Sequence, residues 1–342
     1  MLSSAEKNDF NLTDFYHIVA DARPMRTLDT DIVLVDIANS EREEITDLLN
    51  ILSEMRPAAV GLDVVFNEEH ADDEALLEAM SRLPNLVMAV GVSEAPGASG
   101  AFMVDDYSYF YPSCRGSHKH GVVNFPTKFS GATIRSCRPE FIDAAGDTLP
   151  SLSVALANLV DPEAVRRLRS RGNEVELIDY PSRTFASMSL DEVPDNADKI
   201  AGKIVLIGSL AEKEDVHATP VSSDMPGVMI HAYAASSILR GATYKVAGRA
   251  VNMAIAFVLC FLLCYTNISF KSPARALWMR IAQLAVLYLI IRVGYYMFID
   301  RQVIIDFSYT LLMLTFGFFA LDLWTGMAHY AGLLYNKLKN RN

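Results

Sequence analysis

DIVLVDIANSEREEITDLLNILSEMRPAAVGLDVVF, running from Asp31 to Phe66, holds two apolar runs with a helical pattern between them. Asp31–Ile37 is a short β-branched run without a polar alternation, as a strand buried on both faces would have. Ser40-Glu41-Arg42-Glu43 fits a capping box, and Ile45, Leu48, Leu49, Leu52 and Met55 follow at helical spacing. Ala58–Phe66 is a second buried run. Asp72–Leu83 predicts a second helix and Asn85–Val92 (NLVMAVGV) a third strand. Strand, helix, strand, helix, strand at this spacing marks right-handed βαβ units, so the fold class is α/β with a mainly parallel sheet flanked by helices.

Beyond this block, Phe102–Pro139 is rich in Tyr, Phe, Gly and Pro and reads as loops and short strands. Leu149–Leu159 and Pro162–Leu168 return to helix, Glu174–Leu177 suggests an edge strand, and Gly202–Gly208 (GKIVLIG) is a buried strand. Gly227–Arg240 is a helix that leads toward the rest of the chain. No internal repeat is evident, and no Gly/Ser-rich run exceeds Pro96-Gly97-Ala98-Ser99-Gly100, so a single domain over residues 31–245 is expected after an N-terminal segment, 1–30.

Three apolar stretches follow, Ala250–Phe270, Ala276–Ile299 and Val303–Trp324, each near the ~20 residues that a membrane-crossing helix needs. They predict three transmembrane helices over 250–324 and a basic tail over 325–342. Charge divides at the same place. Met1–Lys245 carries −17 and Val246–Asn342 carries +6, which together give the −11 of the chain. An acidic front domain has no phosphate-binding footprint, so no nucleic acid is expected as a partner. Nothing after the apolar stretches has the length of a kinase or cyclase, so a separate protein is expected to act on whatever the front domain detects.

Loop charge gives a direction, since Lys and Arg stay on the cytoplasmic side. Lys271, Arg275 and Arg280 lie around the first loop and Lys337, Lys339 and Arg341 in the tail, whereas the second turn has only Asp300 and Arg301. With an odd number of crossings, this predicts a multi-pass inner-membrane protein with its large domain periplasmic and its C-terminus cytoplasmic. Lys245 and Arg249 weigh against that orientation. Met1–Asp21 contains no apolar run able to export the domain, so a further helix is expected upstream; without one, the domain would be cytoplasmic. Cys114 and Cys137 either close a disulfide in an exported domain or stay unpaired, while Cys260 and Cys264 read as packing residues of the first membrane helix. In the membrane, Arg280 with Asp322 and Arg292 with Asp306 are expected as ion pairs because unpaired charge there is costly; snorkelling of each Arg is the alternative.

From Lys203 to Gly241 the run KIVLIGSLAEKEDVHATPVSSDMPGVMIHAYAASSILRG resembles the C-terminal signature of the second type of the CHASE family, sensory extracellular domains associated with cyclases and histidine kinases. The matching residues are Gly208, Asp215, Thr219-Pro220, Pro226-Gly227-Val228 and Ile230-His231-Ala232. Earlier segments agree in order: the opening strand with Asp36, Gly61-Leu62-Asp63, Gly121-Val122-Val123-Asn124, Ile134-Arg135, and Tyr180 through Glu192. Family members usually have Gly-His where Gly121-Val122 stands. The resemblance covers nearly all of Asp31–Gly241. It implies an extracytoplasmic ligand- or stress-sensing module with one membrane helix before it and three after it, and it names no ligand.

Asp36 and Asp63 follow β-branched runs, which would bring both carboxylates to the carboxyl edge of a parallel sheet, where α/β proteins bind ligands. Asp215 and His231 would approach the same edge, and Asn124, within the resemblance, is taken with them as a ligand-binding candidate. They would form a site for a polar ligand or an oxygen-loving cation such as Mg²⁺ or Ca²⁺; the other reading is that they cap helices and pin loops. His118-Lys119-His120 lacks a second ligand pair at zinc spacing and reads as a solvated strand face. GSLAEKE after the strand is no phosphate loop, and no Gly-x-Ser-x-Gly elbow occurs, so neither an enzyme nor a cofactor is expected. The expected partners are the lipid bilayer, a separate signalling or assembly protein and a second copy of the chain. A structural envelope subunit is the competing function; a hydrolase using Asp36 and Asp63 is a weak third.

Overall fold

The computed structural model describes residues 11–22, 27–38, 40–66, 68, 70–71, 73–96, 102–108, 119–126, 131–143, 145–180, 183–211, 215–269 and 275–339. They form two compact units, one made chiefly of 17–243 and the other of 11–16 with 244–339.

In the larger unit, helix α1 (Leu12–Asp21, its first turn counted with the other unit) precedes strand β1 (Thr27–Asp36). Then come α2 (Arg42–Met55), β2 (Ala59–Leu62), α3 (Asp73–Ser81), β3 (Leu86–Pro96), β4 (Phe102–Ser108) and β5 (Lys119–Val122). Short strands β6 (Ser136–Cys137), β7 (Glu140–Ile142) and β8 (Thr148–Pro150) lead to α4 (Leu152–Val160), α5 (Pro162–Arg169) and β9 (Glu176–Leu177). Strand β10 (Arg183–Ser189), a 3₁₀ turn, α6 (Ala197–Ile200), β11 (Ile204–Gly208), the hairpin β12 (Val216–Thr219) and β13 (Ser222–Pro226), and α7 (Gly227–Leu239) complete it.

The main sheet has the order β10-β1-β11-β2-β3-β4, with β5 also paired to β3. Every pairing is parallel except that of β3 with β4. The α/β class with a mainly parallel sheet is therefore observed, with two differences from expectation. Strand β9 pairs only with β6, and the true edge is β10, whose mixed polar sequence gives no buried run.

Side-chain alternation divides the core into two layers. Val33, Val35, Val60, Leu62, Val205 and Ile207 pack with Leu48, Leu49 and Leu52 of α2 and with Leu76 and Met80 of α3 on one face. Ile32, Leu34, Ala59, Ile204 and Leu206 meet Leu152 and Leu156 of α4 and Val228, Ala232 and Ala235 of α7 on the other. Strands covered on both faces carry continuous apolar runs, which is why they stand out in the sequence. The capping box begins one residue later than the motif suggests: Glu41 caps α2, its backbone N–H donating to the Glu44 carboxylate at 2.8 Å. Gly121 is fixed by packing, because a Cβ there would lie 2.4 Å from Leu152 Cα, where the start of α4 crosses β5.

The second unit contains α8 (Arg249–Ser269), α9 (Arg275–Arg301) and α10 (Ser308–Lys339), with β14 (Lys245–Val246) paired in parallel to β15 (Val303–Ile304). Leu263, Ile290, Phe307 and Leu314 form its small core. Gly317 lets α10 approach α8, since a Cβ there would be 2.8 Å from Cys260 Sγ. Tyr16 of α1 stacks on Phe298, which stacks on Tyr244, at centroid distances of 5.8 and 4.8 Å. By length and composition, α8 and α9 are candidate membrane spans over Arg249–Thr266 and Arg280–Arg301. In α10 the apolar part found among the described residues, Ser308–Gly317, is shorter. Two candidate crossings therefore stand where three were expected.

Of the two expected ion pairs, Arg292 with Asp306 is not seen among the described residues. Arg292 is exposed and makes no ion pair among the described residues, while Asp306 Oδ1 accepts the Ser308 N–H at 2.9 Å and so starts α10. A helix-capping carboxylate already has its donor, so the pair is not needed to satisfy Asp306. Arg280 Nη1 donates to Gln283 Oε1 at 3.2 Å, and the side chain of Asp322 lies outside the described residues.

Candidate functional site

Six parallel strands end along the carboxyl edge of the sheet, and a cavity of about 370 Å³ lies there beside the ends of β2 and β5. Its lining includes Asp63 after β2, Asn124 and Phe125 after β5, Asp215 and His217 of the β12 hairpin, and Gly227 and His231 of α7. The position is the one at which open α/β sheets bind ligands, because strand ends and helix starts converge there.

Helix α7 sets the geometry. It begins at Gly227, whose N–H donates to the Asp215 carbonyl at 3.0 Å. A Cβ on Gly227 would stand 2.5 Å from Asp215 Oδ2, so only glycine lets that carboxylate rest against the helix start. The positive end of a helix of thirteen residues favours a negative charge there. His217 lies 3.1 Å through Nε2 from Asp215 Oδ1. One turn along α7, His231 is 3% exposed and stacks on Phe125 with ring centroids 4.6 Å apart.

Burial, with Asp215 nearby, pushes the Asp63 carboxyl up to about 7, and His217 offsets part of this. Burial lowers His231 to about 4 although Asp215 and a hydrogen bond to the Val123 backbone oppose it. At neutral pH His231 is therefore uncharged and Asp63 is partly protonated. Ser153 Oγ lies 3.3 Å from His231 Nδ1 and donates to the His231 carbonyl at 3.2 Å. Ser153 is fully buried and does not line the cavity, so this contact ties α4 to α7 rather than presenting a nucleophile.

Of the residues expected at a site, Asp63, Asn124, Asp215 and His231 line one cavity and Asp36 does not. Asp36 Oδ1 accepts the N–H groups of Ala38 and Leu210, each at 3.0 Å, and so pins two turns. Asn124 is occupied as well: its Oδ1 accepts the Val92 N–H at 2.7 Å and its Nδ2 donates to the Val92 carbonyl at 2.9 Å. The side-chain amide extends the ladder between β3 and β5 past its last backbone pair. His217 and Phe125 were not expected at the site. His217 lies on β12 two residues after Asp215, which immediately precedes that strand, and this spacing, which favours one side for both, was the available signal.

Cys137 is a buried free thiol, its pKa raised to about 12 by burial and by Glu176; Cys114 lies outside the described residues. Of the two readings, Cys137 takes the unpaired one. His118 also lies outside them. Among the described residues no group of three His, Cys, Asp or Glu side chains is placed to hold a metal ion.

The model of the CHASE2 domain family matches residues 17–266. No curated protein and no solved structure matches the chain.

Proposed function

The chain belongs to the CHASE2 domain family, a family of extracellular sensory domains, and on that premise we propose that it is a membrane-anchored sensory subunit. Its α/β domain faces the periplasm and binds a small ligand in the cavity at the start of α7. The helices over 250–324 cross the membrane three times, and the basic tail over 325–342 lies in the cytoplasm. The signal then passes to a separate protein, without catalysis in this chain.

One observation carries the ligand-binding part: the cavity is lined by the first turn of α7, the helix that leads toward the membrane unit. A ligand touching Asp215 and Gly227 touches the start of that helix. Its far end is held by buried polar contacts, with Ser236 Oγ donating to the Asp29 carboxylate and Ser237 Oγ accepting the Asp179 N–H at 3.0 Å. A ligand moves such an equilibrium only by binding the two arrangements unequally, so helix contact is the property that matters.

The test is a thermal-stability screen of the full chain in lipid nanodiscs against a chemically mixed library of small molecules. Stabilisation that disappears in Asp215→Asn supports the reading, since a ligand of the native state raises its melting point by mass action. A library without a stabilising compound favours a structural or assembly subunit. Reporter fusions at Met1 and after Asn342 test the topology, and a cytoplasmic sensory domain would refute the periplasmic assignment.

A further inference from the structure

We infer that the cavity takes a small organic cation, with an ammonium group between Asp63 and Asp215 and its carbon skeleton against Phe125. The inference rests on the sensory reading above and names the class of ligand. Among the described residues, two carboxylates line the cavity and neither Lys nor Arg does. The start of α7 and His217 at 3.1 Å offset one of the two negative charges, that of Asp215. Asp63 has less relief: His217 offsets only part of the effect of burial and of Asp215 on it, and among the described residues its half-buried carboxylate accepts no hydrogen bond and joins no ion pair. A half-buried carboxylate that faces a cavity without a protein donor is placed to take a positive group.

The remaining lining narrows the choice. Phe125 supplies an aromatic surface, which attracts cations as well as apolar groups. The volume of about 370 Å³ is of small-molecule size. An anion would meet two carboxylates in a part of the chain, Met1–Lys245, of net charge −17. A metal ion needs more side-chain ligands than the described residues bring together, whereas an ammonium is satisfied by two acceptors and an aromatic face.

Among the described residues, the charged and titratable groups that act on Asp63 are Asp215 and His217, and His231 of α7 lines the same cavity. Because its carboxyl titrates near 7, a cation bound beside it replaces a proton, and affinity follows pH.

The test uses the full chain in nanodiscs of neutral lipid and three probes of similar shape: 2-phenylethylammonium, 2-phenylethanol and 3-phenylpropionate. At pH 8 calorimetry should find the ammonium bound about tenfold or more tighter than the other two, with about tenfold loss in Asp63→Asn and in Asp215→Asn. In the wild type its affinity should fall about tenfold per pH unit below 7, and this dependence should vanish in Asp63→Asn. Melting curves of both variants confirm that they fold. Equal binding of the alcohol or the carboxylate, or ammonium binding untouched by both variants, overturns the cation class. If no probe binds but the mixed library yields a compound that needs Asp215, the cation class fails and the sensory reading stands. If the library yields none, the sensory reading fails with it.

Discussion

Asp63→Asn removes a charge that the folded state holds against its surroundings, so the variant should be more stable than the wild type, and only at high enough pH. The folded carboxyl titrates at about 7, against ~3.9 in an unfolded chain. The native state therefore binds this proton more tightly than the unfolded state does. Stability from Asp63 is complete below pH ~4, falls by about 1.4 kcal/mol per pH unit as the pH rises, and levels off above ~7. The loss across that window is of the order of 4 kcal/mol. Water at the partly exposed side chain screens some of it, which places the expected gain nearer to ~2 kcal/mol. For a unit of this size ~1 kcal/mol is about 2–4 °C, so the Asn variant should melt roughly 4–8 °C above the wild type at pH 8 and level with it at pH 4. Differential scanning fluorimetry of both proteins in nanodiscs between pH 4 and 8 reads this directly. Equal melting at pH 8, or a variant weakened at both ends of the range, would refute the reasoning.

His231 should act in the opposite direction: lowered to about 4, it contributes stability above ~6.5 that is lost as the pH falls toward 4, and His231→Gln should flatten that acid limb of the melting curve. Gly121→Ala should destabilise the domain by about 1–3 kcal/mol, because its Cβ meets Leu152 Cα at 2.4 Å and backbone cannot rotate away; chemical denaturation measures it. Gly317→Leu should separate α10 from α8 at Cys260 and lower the melting point of the second unit, with Cys260 becoming more reactive to a permeant maleimide. Unchanged Cys260 reactivity would show that the helices do not rely on that close approach.

The four central strands were legible because both of their faces are covered, which leaves runs such as IVLIG without a polar residue. Strand β10, RTFASMS, has mostly half-buried residues, and it takes its place through parallel pairing with β1 across more than a hundred residues, for which no local signal exists. The insertion of β11 between β1 and β2 is invisible for the same reason. At the site, Asp63, Asp215 and His231 could be placed because strand ends and helix starts in an α/β sheet face one edge. Asp36 occupies an equivalent strand end, yet a short Asx-type turn takes its carboxylate, and the Ala-Asn-Ser that follows was the turn chemistry that hinted at this. Asn124 shows the limit of residue type as a guide. Its amide serves as a backbone surrogate, which the sequence cannot distinguish from a ligand-binding amide.

The insertion of β11 also bears on how the chain is made. Ile32 pairs with Ile204, and Val60 with Val205, so β1 and β2 wait for a neighbour that is synthesised long after them. At ~5–20 residues per second the delay is on the order of ten seconds or more, during which two apolar strands have open edges. Such a domain cannot close from its N-terminal half alone, and slow non-local pairing leaves it exposed to aggregation while it waits. The main sheet therefore cannot be completed until Gly208 has emerged, with the first candidate membrane span only about 40 residues behind.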